Sequence, residues 1–118
     1  MNAYAIPGIK PELKIYIKNI QASEIVKICC NYFDRNFDEL ESANRERDLV
    51  YVRDLTIYTL LESTSLSLKA IGKIFNRDHT SIIHAREKVK ANLFDSRYIF
   101  HERYLKDYGN ILRRLNKQ

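Results

Sequence analysis

Apolar residues recur three and four positions apart through most of this chain, the spacing that sets one side of an α-helix against a core. Ser23 and Glu24 open a first helix in which Ile25, Ile28, Cys29 and Tyr32 share a face. Asn36 is placed to cap a very short helix running through Leu40, with Phe37 and Leu40 turned inward. The pattern then stops: Glu41 to Asp48 (ESANRERD) reads as a polar loop. Asp48 is the predicted N-cap of a long helix from about Leu49 to Glu62, with Val52, Leu55, Tyr58 or Thr59, and Leu60 as a wide apolar stripe. Glu62-Ser63-Thr64-Ser65 ends it, because short polar side chains compete for the backbone hydrogen bonds.

The stretch Leu66 to Val89 (LSLKAIGKIFNRDHTSIIHAREKV) carries two helices and a tight turn. Ser67 caps the first, whose Leu68, Ile71 and Phe75 keep helical spacing; Asn76-Arg77 interrupts, and a second helix runs from about Asp78 to Lys90. On the second helix Ile82, Ala85 and Val89 fall on one side, and Thr80, Ser81, His84 and Lys88 broadly on the other. This is the layout of a helix-turn-helix. Gly72, inside the first of these helices, costs about 1 kcal/mol relative to Ala and implies close backbone approach by a neighbouring helix. Ala91 to Asp95 bridges to a last helix, roughly Ser96 to Leu115, whose inward stripe is Ile99 or Phe100, Tyr104, Tyr108, Ile111, Leu112 and Leu115. Its aromatic residues are assigned to the core rather than to base stacking. Gly109 marks a bend or a close contact, and Arg113, Arg114 and Lys117 complement the C-terminal end of the helix dipole.

The fold class is therefore all-α: a helix-turn-helix domain of about six helices over residues 22–118, with residues 1–21 as a separate lead. Pro7, Gly8 and Pro11 break any continuous helix in that lead. Its Tyr4, Ile6, Ile9 and Tyr16 are apolar enough to pack back on the domain or on a partner, such as a replication or regulatory protein.

Composition agrees with one compact domain: 118 residues, 45% of them hydrophobic, suffice for a modest core without covalent staples. The net charge of +5 is unevenly spread, at −1 over residues 1–42 and +3 over each of 43–90 and 91–118. That is a mild electrostatic footprint for a polyanion, falling on the half that contains the helix-turn-helix. Cys29 and Cys30 are adjacent on a helix and diverge by about 100°, so they cannot readily pair with each other, and at least one is a small buried hydrophobe. No signal segment and no apolar run near the ~20 residues of a membrane span occurs, so a reducing cytoplasm, at the nucleoid, is the expected compartment.

Residues Arg77-Asp78-His79-Thr80 stand where a recognition helix presents its N-terminus to a major groove. Asp78 can accept from a cytosine amino group, Thr80 can offer its methyl to thymine, His79 can meet a base edge or phosphate, and Arg77 can pair with phosphate. The plainer alternative is that Asp78 only caps the helix and its neighbours are solvated surface.

The run LKAIGKIF followed by NRDHTSIIHA, residues 68–85, resembles the C-terminal DNA-binding domain of the bacterial replication initiator DnaA. That family's pattern is an Ile-Gly and a Phe, a glycine-rich turn, then Arg-Asp-His-Thr-Thr/Ser, two aliphatics and His-Ala. The resemblance spans roughly residues 22–115 and is sharp in the middle. It implies double-stranded DNA as partner, a Trp-repressor-like fold, and a DNA surface comprising Arg77, Asp78, His79, Thr80, Ser81 and Lys88 of the second helix and turn. It also matches Arg45 and Arg47 to the family's basic loop, which enters the minor groove, where narrow A·T-rich DNA focuses negative potential. Arg53 matches a basic position facing the DNA backbone; ion pairing with Asp54 or a plain surface position is the alternative. Lys69 replaces a frequent proline and either reaches phosphate or stays solvated.

The chain also departs from the family's pattern in the loop and in the turn. Glu46 and Asp48 flank the loop arginines and weaken its attraction for phosphate. Asn76 stands for a glycine pair, which shortens the turn by one residue and is expected to alter the angle between the helices.

Catalysis is not expected. His79 and His84 are five apart with no Glu-x-x-His or Cys-x-x-Cys, which excludes the usual zinc patterns, and nothing orients Ser81 and His84 as a nucleophile and base. The chain has no Gly-x-x-x-x-Gly-Lys, so the ATP-driven assembly of whole initiators is not expected of it, nor is any cofactor. A monomer that binds DNA with some sequence preference, possessing a role in replication initiation, is the leading expectation. Two others stand beside it: a dimeric Trp-repressor-like transcription regulator with a palindromic target, and a protein-interaction adaptor that keeps the fold without the DNA contacts.

Overall fold

The computed structural model describes residues 21–117. The lead expected over residues 1–21 lies, but for Gln21, outside them. Six α-helices follow in order: α1 (Ala22–Phe33), α2 (Phe37–Glu41), α3 (Arg47–Ser63), α4 (Leu68–Ile74), α5 (His79–Phe94) and α6 (His101–Asn116), with no strand among the described residues. The all-α helix-turn-helix architecture is as expected.

The sequence pattern marked α3 as a helix with one wide stripe, but it is buried almost all round. Leu49 and every residue from Tyr51 to Leu60 lie inside, because α1, α2, α4 and α5 all pack around it. The two threonines this encloses are satisfied within the helix: Thr56 and Thr59 donate to the Val52 and Leu55 carbonyls, each at 2.7 Å. Side chains of α6 complete the surround, with the Tyr51 and Tyr104 rings edge to face at 4.8 Å and Tyr58 and Tyr108 at 5.3 Å. The Asp107 carboxylate then accepts from two helices, Tyr32 Oη at 2.8 Å and Tyr51 Oη at 2.6 Å. Burial, and then the bond to Asp107, push the Tyr51 hydroxyl well above its ordinary pKa, so it is a permanent donor. Both cysteines are buried and unpaired with each other, and burial pushes the Cys29 thiol up to about 12.

Several ends differ from the sequence reading. Asn36 and Ser67 cap α2 and α4 as expected, Asn36 in a reciprocal capping box with Glu39. For α3 the cap is Glu46 rather than Asp48: its carboxylate reaches the Asp48 N–H at 3.0 Å, so the helix starts two residues early. Helix α5 continues to Phe94, and α6 begins at His101 rather than near Ser96. The reason is a local fork: Asp95 accepts from the Arg97 N–H and from both Nε and NH2 of its guanidinium at 2.8–3.0 Å, which holds 95–98 as a turn. Arg97 keeps the Asp95 carboxyl ionised down to about 2. Ile99 and Phe100 consequently face solvent instead of joining the core stripe, at 87% and 53% exposure.

The turn between α4 and α5 closes by two backbone bonds, Asn76 N–H to Lys73 O at 3.3 Å and Arg77 N–H to Gly72 O at 2.8 Å. This geometry puts Asn76 at φ 56°, a left-handed conformation that Asn tolerates better than most non-glycine residues. It also explains Gly72. The close approach comes from this turn folding back, not from another helix: a Cβ at Gly72 would sit well inside contact distance of the Arg77 carbonyl oxygen.

Gly72→Ala is expected to destabilise the fold by about 1–3 kcal/mol despite alanine's better helix propensity. Asn76→Gly should cost nothing and Asn76→Ala about 1 kcal/mol, as read by urea unfolding followed by circular dichroism.

Candidate nucleic-acid interface

The polar loop between α2 and α3 is organised by two arginines from outside it. Helix α2 is one turn long, so most of its carbonyls lack partners within the helix. Arg53, from the first half of α3, donates Nε to Leu40 O at 2.6 Å and NH2 to Ser42 O and Asn44 O, each at 3.1 Å. Arg77, from the helix-turn-helix turn, donates NH2 to Ser42 O at 2.6 Å and NH1 to Phe75 O at 2.7 Å and Leu40 O at 3.3 Å. Two guanidinium groups thus share the Leu40 and Ser42 carbonyls. Burial lowers the pKa of both, and the neighbouring guanidinium lowers that of Arg53 further; an arginine nevertheless stays charged at neutral pH.

These contacts correct the expectation for Arg53. It is 5% exposed, and its guanidinium is turned onto backbone carbonyls rather than outward toward a DNA backbone or an ion pair with Asp54. Arg77 is half-buried and holds the loop, so its charge reaches the surface only in part.

The clamp brings the loop and α5 to opposite walls of one open cleft of about 540 Å³. Ser42, Ala43 and Arg45 form one wall, and Ser81, His84 and Lys88 of α5 the other. Arg45 and Arg47 are exposed and enter no ion pair among the described residues. Asp78 caps α5, its Oδ1 accepting from Ser81 N–H at 2.9 Å, and that bond holds its carboxyl below the usual range. Asp78, His79, Thr80 and Ser81 are all exposed at the start of α5. Lys69 is exposed on α4 but lines neither this cleft nor the one beside it.

Two of the three acidic residues of the loop, Glu46 and Asp48, are tied to cations elsewhere. Glu46 pairs with Arg35 at 3.4 Å and Asp48 with Arg103 at 3.3 Å, so neither stands as a free charge beside Arg45. Asp54 was missed in the sequence, although an acid in the middle of an apolar helix was a visible signal. It is nearly buried in the cleft and binds Lys88 Nζ at 2.9 Å. Burial raises its pKa, opposed by Lys88 and, more weakly, by Arg53 and Arg77. A carboxyl raised in this way binds a proton more readily folded than unfolded, so its contribution to stability falls as pH rises through the raised value.

A capped recognition helix, a tight turn and an arginine loop around one cleft define a DNA-binding helix-turn-helix. Residues 22–89 match the family described as bacterial dnaA protein helix-turn-helix, and the chain belongs to that family. It is also similar to the chromosomal replication initiator protein DnaA of Mycobacteroides abscessus, 36% identical over 81 residues. That alignment covers 69% of this chain and 16% of the relative, so the chain spans a small part of the relative's length. The match falls on a DNA-binding unit and not on a catalytic one. No helix among the described residues is long and apolar enough to cross a membrane.

Arg53→Ala is expected to destabilise the fold by about 2–4 kcal/mol, because it removes a buried side chain and its bonds to the Leu40, Ser42 and Asn44 carbonyls, the last of which is left unpaired, whereas Arg45→Ala should change stability by less than about 0.5 kcal/mol. Thermal and urea melts of the two variants check the contrast. Asp54→Asn should raise affinity for duplex DNA by releasing Lys88 and steepen the slope of log affinity against log salt by about 0.9. In the unmodified protein, lowering pH protonates Asp54 and should strengthen binding in the same direction, an increment smaller in Asp54→Asn.

Proposed function

We propose that this protein reads a short double-stranded DNA site similar to those the DnaA family binds, in a role connected with the initiation of replication. The observation that carries this reading is the tethering of the Arg45 loop to the helix-turn-helix turn by Arg77, which faces the loop and α5 across one cleft. In this arrangement α5 enters the major groove. His79 and Thr80 meet base edges, Asp78 caps the helix and accepts from a base amino group with its outer oxygen, and Ser81, Lys69 and Lys88 approach phosphates. Arg45 enters the adjacent minor groove, with Arg47 beside it on the backbone. Action at the nucleoid follows from this partner. The name of the similar initiator supports the replication role, since residues 22–89 match the helix-turn-helix of that family.

A protein-interaction adaptor is the second reading, favoured by Asp54 and Glu41 in the cleft, which oppose phosphate. Mobility shift at moderate salt, comparing a DnaA-box duplex with its scrambled counterpart, separates the two. Box affinity at least tenfold above scrambled, falling by about 1–3 kcal/mol in His79→Ala or Arg45→Ala, is the expected result. Equal affinity for both duplexes would reject sequence recognition, and unchanged affinity in Arg45→Ala would reject the minor-groove arm.

A further inference from the structure

Beyond Val89, outside the segment that matches the family, the turn between α5 and α6 carries the only large apolar side chains that are exposed among the described residues: Tyr98, Ile99 and Phe100. The Asp95–Arg97 fork holds the start of this turn, so the three project as a fixed knuckle. Phe100 lines a second cleft that shares Arg45, Asp54 and Lys88 with the first, which makes the two continuous. Arg47 and Arg103 also line it, and Arg103 is held in place, stacked 4.0 Å over the Tyr51 ring and bonded to Asp48. Four cations face two carboxylates there.

We propose that the knuckle is an additional DNA contact. Resting on the DNA-binding reading above, it places Tyr98, Ile99 and Phe100 against the sugars and groove edge of the duplex flanking the site, with Arg47 and Arg103 on its phosphates. Apolar side chains beside inserted arginines are a common minor-groove device. DNA fits this surface better than a second copy of the chain does. Three consecutive residues are far short of the ~800 Å² per partner of a stable protein interface, and a second copy would bring like charge to a cationic rim.

The test uses two duplexes carrying the same preferred site, one of about 12 base pairs and one extended by about 10 base pairs on the Arg45 side, with the unmodified chain and the Ile99→Ser/Phe100→Ser variant. The unmodified chain should bind the extended duplex about fivefold or more tightly than the short one, with a hydroxyl-radical footprint reaching into the extension. The variant should lose that advantage while keeping its melting temperature and its affinity for the short duplex. Equal affinities of the variant and the unmodified chain for the extended duplex would overturn the proposal. So would equal losses on both duplexes, or a fall in sedimentation mass that marks the knuckle as a self-association surface. Failure of the unmodified chain to bind either duplex would instead overturn the DNA reading itself, and this contact with it.

Discussion

The geometry of the binding face rests on one electrostatic contact, the pair of guanidinium groups on the carbonyl end of α2. A one-turn helix cannot satisfy its own carbonyls, and these sit at the negative end of its dipole. Arg53 and Arg77 come to that end from two different elements, α3 and the turn before α5, and share the Leu40 and Ser42 oxygens. Because each carbonyl oxygen has two lone pairs, both arginines are accommodated without displacing one another. The loop that carries Arg45 is thereby referenced to α5 through few intermediates, which the proposed straddling of a duplex needs.

The same contact explains why the face is less cationic than a count of arginines implies. Two guanidinium groups are turned onto backbone, and Lys88 answers a buried carboxylate. The acids Glu46 and Asp48 are in turn neutralised by Arg35 and Arg103. What faces solvent is a narrow set: Arg45, Arg47, the first turn of α5 and, further along that helix, His84 and the half-exposed Lys88. In the proposed DNA complex such a surface relies on shape and a few placed groups more than on bulk charge, in keeping with a net charge of only +5.

Much of this was legible along the chain. Helical spacing, the caps at Asn36, Ser67 and Asp78, and the inward trio Ile82, Ala85 and Val89 all follow from local rules that the structure obeys. The errors fall where a local signal had two solutions. Glu46 and Asp48 could each begin α3, and the carboxylate with the longer reach took the N–H. Ile99 and Phe100 fit a helical stripe, but the Asp95–Arg97 fork satisfies the backbone in a turn first. Gly72 announced a close approach, but its partner is the adjoining turn and not the neighbouring helix that the pattern suggested.

Sequence alone determined the all-α class, the helix-turn-helix and the exposed polar start of α5, because periodicity and capping act within a few residues of each other. The fate of each arginine was decided only by tertiary structure. Arg45, Arg47, Arg53 and Arg77 are chemically identical, and nothing local distinguishes a guanidinium that will meet solvent from one that will meet a carbonyl. That difference arises when α2 ends against α3 and the turn before α5, leaving unpaired oxygens within reach of two of the four.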